Sequence, residues 1–139
     1  ILEMHGLSGK EIKERTHWLL ERFGISHLRK RKANSLSGGE RRRLEIARAL
    51  SINPKFLLLD EPFAGVDPIA VYEIQELIKE LKEMSIGILI TDHNVRETLR
   101  IIDRAYIIGH GQVIASGSPK EVAEKEIVRK IYLGQQFTL

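Results

Sequence analysis

Asp60 and Glu61 close a short apolar run, Phe56-Leu57-Leu58-Leu59, and adjacent carboxylates in that place suit the chemistry of a magnesium nucleotide. Open α/β sheets hold their ligands at the carboxyl ends of strands. One carboxylate there can hold Mg²⁺ through water while its neighbour orients or deprotonates a water that attacks phosphorus. A second apolar run, Ile86 to Thr91, ends in Asp92-His93. His93 is therefore expected at the same sheet edge as Glu61, where an imidazole can hydrogen-bond a terminal phosphate. Leu36-Ser37-Gly38-Gly39-Glu40 is a third candidate. A serine hydroxyl and two glycine N–H groups at a helix start make an anion site. The same Ser-x-x-Glu spacing is also a capping box that simply starts a helix, and the pattern alone leaves both readings open.

These residues need elements to position them. Ser8-Gly9-Lys10-Glu11 is a capping box, and Ile12, Thr16, Leu19, Leu20 and Phe23 then fall on one helical face up to a stop at Gly24. A short helical piece around Ile25 and Leu28 runs into Arg29-Lys30-Arg31-Lys32, and the helix opened by Ser37 reaches about Leu50. After Asn53-Pro54 the run 56–59 predicts a strand buried on both faces. Asp67 as N-cap and Pro68 behind it start a long helix with Ala70, Ile74, Leu77, Ile78 and Leu81 inward. Ile86 to Thr91 predicts another strand, and Asn94 with Glu97 caps a further helix. Arg104–Ile108 and Gln112–Ala115 predict an antiparallel pair joined through Gly109-His110-Gly111, and Ser118-Pro119-Lys120-Glu121 opens the closing helical segment before a tail from Gly134. Strand, helix, strand, helix and hairpin behind a strandless helical lobe define an α/β chain.

Composition narrows the rest. The 139 residues suffice for one modest domain, and 42% hydrophobic with 29% charged content argues against disorder. With no cysteine, a disulfide framework and a thiolate zinc site are excluded. No apolar run approaches the ~20 residues of a membrane span. A net charge of +3 permits an acidic partner without requiring one. Arg41-Arg42-Arg43 and the basic run 29–32 lack interleaved aromatics, so a solvated basic face is expected rather than a nucleic-acid surface. His5, His17, His27 and His110 form no ligand spacing. Trp18, beside the apolar stripe of the first helix, is expected as partly buried packing. The chain opens at Ile1 rather than at methionine, which is expected of a portion of a longer protein.

Together the motifs resemble the ATPases of the ATP-binding cassette (ABC) family. Leu36-Ser37-Gly38-Gly39-Glu40 resembles the family's signature motif, and Phe56–Asp60 its Walker B strand, with Glu61 in the catalytic glutamate position. Ala64-Gly65-Val66-Asp67 matches the D-loop and His93 the switch histidine, in the family's order and spacing over essentially the whole chain. The resemblance implies a partial P-loop NTPase core with parallel strands plus a helical signature subdomain. It divides the chain into a helical subdomain (1–52), the second half of the catalytic core (53–117), and carboxyl-terminal helices with a tail (118–139). It implies ATP as substrate with Mg²⁺, held by Asp60 through water, and Glu61 and His93 as catalytic residues for the chain's own nucleotide. Ser37, Gly38, Gly39 and Glu40 are implied to meet the nucleotide of a second, head-to-tail protomer, and Asp67 to work across that interface. The implied partners are that protomer and transmembrane permease subunits, with no nucleic acid, at the cytoplasmic face of a bacterial inner membrane.

Within the family, residues 60–68, Thr91 to Thr98 and Tyr132-Leu133-Gly134 are similar to the ATPases of lipopolysaccharide exporters. Those of branched-chain amino acid importers share the Arg-rich signature helix and a similar tail. DNA-maintenance ABC ATPases carry a coiled coil or zinc insertion before the signature, and residues 8–32 have neither long heptads nor cysteines. A non-catalytic interaction module is the remaining alternative. No G-x-x-x-x-G-K-[ST] phosphate loop occurs; Gly9-Lys10 is followed by Glu11 and no strand precedes it. The family's adenine-stacking aromatic and glutamine loop are expected upstream as well. The polypeptide by itself is therefore expected neither to bind ATP tightly nor to hydrolyse it, and the open edges of its apolar strands predict association.

Overall fold

The computed structural model describes residues 6–134, so His5 and the expected tail beyond Gly134 lie outside the described residues. The backbone forms two compact units, one up to Thr91 and one from Asp92.

The first unit runs α1 (Gly9–Arg22), two 3₁₀ turns (Ser26–Leu28 and Ala33–Ser35), α2 (Gly38–Leu50), β1 (Phe56–Asp60), α3 (Pro68–Glu83) and β2 (Gly87–Thr91). Local chemistry sets the helix starts. Ser8 with Glu11 and Ser37 with Glu40 form reciprocal capping boxes, and the Asp67 carboxylate accepts the N–H groups of Ile69 and Ala70 ahead of α3. Strands β1 and β2 pair in parallel from Phe56↔Gly87 to Asp60↔Thr91, with α3 as the connection that a parallel pair requires. Leu19, Phe23, Ile46, Leu50, Leu57, Leu59, Ile74 and Ile78 are all buried.

Two expectations are corrected here. β1 is buried on one face only: Leu57 and Leu59 are buried, whereas Phe56 and Leu58 are 74% and 72% exposed. Successive side chains of a strand point to opposite faces, so an apolar run fills two rows, and among the described residues only one row is covered. The basic run of α2 is also not simply solvated. Arg43 pairs with Glu73 of α3, and Arg42 is held by Glu45 one helical turn on, at 2.8 Å. Trp18 is 41% exposed; the Arg15 guanidinium lies 4.6 Å from its ring centre and donates to the Leu50 carbonyl at 2.9 Å.

The second unit contains α4 (Val95–Leu99), β3 (Ala105–Gly109), β4 (Gln112–Gly117), α5 (Pro119–Glu124) and α6 (Glu126–Val128), which continues into a π-helical turn, Arg129–Leu133. The hairpin turns on His110 and Gly111, both at positive φ (49° and 75°), a two-residue geometry that matches strand twist. β4 runs two residues past the expected Ala115 and carries a register shift opposite Ile107/Ile108. Leu99, Ala105, Ile107, Ala115, Val122, Val128 and Leu133 form its core. No helix among the described residues is long and apolar enough to cross a membrane.

Candidate functional site

At the start of α2, Ser37 is the N-cap. Its hydroxyl oxygen accepts the Glu40 N–H at 3.2 Å, and its own N–H donates to the Glu40 carboxylate at 2.8 Å. That backbone donor, aided by the Ser37 hydroxyl and the charges of Arg31 and His27, holds the Glu40 carboxyl below its ordinary value. Gly38 and Gly39 follow as the first two helical residues, whose N–H groups have no intrahelical acceptor. A hydroxyl has a proton to donate besides the lone pairs it offers, so capping and anion binding are compatible on Ser37. Both glycines are also dictated by space. A Cβ on Gly38 would lie 2.9 Å from the Gly65 carbonyl oxygen, and one on Gly39 2.7 Å from the Ala70 methyl. The signature turn therefore lies directly against residues 65–70 of its own chain.

The strand ends form the second cluster. The β1–β2 register sets Asp60 opposite Thr91, whose hydroxyl donates to the Asp60 carboxylate. The Glu61 N–H donates to the Thr91 carbonyl at 2.7 Å. Glu61 itself sits at φ 46°, a left-handed conformation that costs a non-glycine residue about 1–2 kcal/mol. It is held there by buried Pro62 and Phe63 and by the Ala64 N–H, which donates to the Glu61 carbonyl at 3.1 Å. Asp67 is engaged as the N-cap of α3. Asp60 fits a magnesium ion that keeps most of its waters and is shared with nucleotide phosphates, since a single hard carboxylate suffices for that arrangement. The described residues contain no group of three or more His, Cys, Asp or Glu that would hold a metal by themselves.

His93 is the second residue of the second unit, after Asp92, with its side chain 73% exposed and its Nδ1 3.9 Å from the buried Asp92 carboxylate. Asp92 also accepts the Asn94 N–H at 2.7 Å, which fixes the turn after the histidine. The first unit thus brings Asp60, Glu61 and Thr91 together, and Ser37–Gly39 against the Gly65 turn. Sequence reasoning missed two members. Thr91 was legible only as a strand end. The sequence places Arg42 in a basic face, although its three-residue spacing to Glu45 signals an intrahelical pair. Arg42 Nη2 donates to the Glu61 carbonyl at 2.9 Å.

A parallel βαβ unit with paired carboxylates at its carboxyl edge, together with a glycine-rich helix start, fits the part of an ATP-binding cassette that the motifs resemble. The ABC transporter family's model matches residues 2–64 of this chain and so takes in Ser37–Glu40, Asp60 and Glu61. It is 56% identical over 133 residues to the lipopolysaccharide export system ATP-binding protein LptB of Haemophilus influenzae, covering 96% of this chain and 55% of that protein. The LptB of Acidithiobacillus ferridurans is 56% identical over 139 residues, covering 100% of this chain and 58% of that protein. Among solved structures, the ADP conformation of an ATP-binding cassette of an ABC transporter superposes with a TM-score of 0.81 at 39% identity, over 93% of this chain and 52% of that one. The chain spans little more than half the length of the curated relatives it matches.

Proposed function

We propose that this chain belongs to an ATP-hydrolysing subunit that powers lipopolysaccharide export, working as a homodimer docked on transmembrane permease subunits at the cytoplasmic face of the inner membrane. The observation that carries the reading is the β1–β2 register, which holds Asp60 and Glu61 at the carboxyl edge with Thr91 bonded to both. The kinship with LptB proteins supports the choice of transporter.

In this mechanism Glu61 takes a proton from the water that attacks the γ-phosphorus, the bond from that phosphorus to the bridging oxygen breaks, and ADP departs. His93 hydrogen-bonds the terminal phosphate and keeps the water in line. Mg²⁺, which Asp60 would hold through water, would supply charge neutralisation for the phosphates. The Asp60 carboxylate accepts from the Thr91 hydroxyl, which fixes its direction for that role. Ser37, Gly38, Gly39 and Glu40 face the nucleotide held by the second protomer, where N–H donors at a helix start favour the phosphate charge, and Asp67 acts at that interface. Phosphoryl transfer is mostly positioning and charge stabilisation, so these contacts are the catalytic apparatus.

The test uses the full-length protein in cells depleted of their own LptB, with lipopolysaccharide arrival at the outer surface as readout. The wild-type protein is expected to restore export, whereas Glu61→Gln binds ATP but neither turns it over nor restores export. Glu61→Gln hydrolysing ATP at the wild-type rate would overturn the assignment of the water-activating residue. Restored uptake of branched-chain amino acids, with no lipopolysaccharide export, would move the protein to the importer branch.

A further inference from the structure

We infer that Arg42 is a positioning residue for Glu61. The inference rests on the reading of Glu61 as the water-activating carboxylate and adds a residue to it. Glu61 occupies a left-handed backbone conformation that its side chain does not favour, so the direction of its carboxylate depends on what pins its two peptide groups. The preceding peptide is pinned by the Thr91 carbonyl at 2.7 Å, and the following one by the Ala64 N–H at 3.1 Å and by Arg42 Nη2 at 2.9 Å. Of these three, Arg42 alone comes from the signature helix.

The Arg42 side chain is three-quarters buried (24% exposed), and Glu45 holds its other terminal nitrogen, Nη1, at 2.8 Å. Both ends of the guanidinium fork are therefore occupied, which fixes the plane from which Nη2 reaches Glu61. One turn back along α2 stand Ser37, Gly38 and Gly39, and the Gly38 backbone lies against Gly65 in the same loop that begins at Glu61. Seating of a phosphate at the signature turn and the aim of the chain's own carboxylate thus share one rigid helix. Arg42 is the charged link between them.

The experiment compares steady-state ATPase kinetics of full-length wild-type, Arg42→Ala, Arg42→Lys and Glu61→Gln proteins, with thermal melting of each. A lost charge-assisted bond to a group that orients the base is expected to lower kcat about tenfold in Arg42→Ala. KM for ATP and the melting temperature should stay close to wild type. Arg42→Lys, which keeps one charged donor, should recover most of the lost rate. In the Glu61→Gln background, adding Arg42→Ala should leave ATP affinity unchanged, because the arginine acts through Glu61. Wild-type kcat in Arg42→Ala overturns the inference, and so does a loss confined to KM. A joint loss of rate and melting temperature that Lys fails to rescue also overturns it, marking a purely structural arginine. Active Glu61→Gln instead brings down the catalytic assignment itself, so the two failures are distinguishable.

Discussion

Replacing Gly39 with alanine sets two opposing effects against each other on one methyl group. Gly39 is helical and buried, so the substitution brings up to about 1 kcal/mol of helix propensity, less in a first turn. Against this, the new Cβ would stand 2.7 Å from the Ala70 methyl. Carbon atoms in contact prefer about 3.5–4.0 Å, so α2 and α3 must part by about 1 Å. Ala70 has no rotamer into which its methyl can swing, and it is itself buried, so the backbone has to move. Overpacking of this kind costs about 1–3 kcal/mol, which leaves a net destabilisation of about 1–2 kcal/mol. Urea unfolding of the full-length protein, followed by circular dichroism, reads this as a lowered midpoint at unchanged slope. The decisive measurement is the double-mutant cycle with Ala70→Gly. Removing the opposing methyl should make the pair less destabilised than the sum of the single changes by at least about 1 kcal/mol. Since α2 carries Ser37 at its tip, ATP turnover should fall in the single mutant and recover in part in the pair. A Gly39→Ala protein as stable as the parent, or a cycle with no coupling, would refute the packing argument.

Two further outcomes follow from the caps. Glu11, Glu40 and Glu121 each lie below their ordinary value of 4.5, chiefly because the Ser8 hydroxyl bonds Glu11 and the Ser37 and Ser118 N–H groups bond Glu40 and Glu121. A carboxyl lowered in the folded state contributes stability that is full above 4.5 and lost as pH falls below it through the folded value. The stability contributed by these three caps should therefore diminish below that pH, read as a lowered unfolding midpoint in acid. Glu40→Gln, which can still accept the Ser37 N–H, should make the acid limb shallower; an unchanged limb counts against the capping account. Asp67→Ala should lower unfolding free energy by about 1 kcal/mol through loss of the α3 cap, while Asp67→Asn retains most of it. If Asp67→Asn nonetheless slows ATP turnover, the carboxylate has a role at the dimer interface beyond capping; equal stability of all three proteins would dismiss the cap.

The signature turn shows how one short segment meets structural and chemical demands together. Ser37 starts a helix and remains chemically able to donate to an anion. Gly38 and Gly39 leave N–H groups at the helix start and let α2 approach the Gly65 turn and α3. A glycine there satisfies a packing constraint whether or not a phosphate is present, so mutating it perturbs both at once. Arg42 offers a cleaner probe, because its contact with Glu61 can be weakened without touching the turn itself.

What the sequence determined by itself was whatever rests on short-range chemistry. Ser8, Ser37, Asp67 and Ser118 cap their helices through neighbours two or three residues away, and such patterns are written in consecutive letters. The apolar runs ending in Asp60-Glu61 and Thr91 likewise announced two strands whose carboxyl ends align. Tertiary structure decided the rest. The one-sided burial of β1, with Phe56 and Leu58 outward, depends on which face the fold covers, and an uninterrupted apolar run carries no mark of it. The Thr91 hydroxyl reaches Asp60 across 31 residues and Arg42 reaches the Glu61 carbonyl across 19. Those contacts exist only once β2 lies beside β1 and α2 lies against the loop that follows it. Periodicity and spacing report a residue's own element and its neighbours within a turn, whereas the groups that aim a catalytic side chain come from whichever element the packing brings alongside.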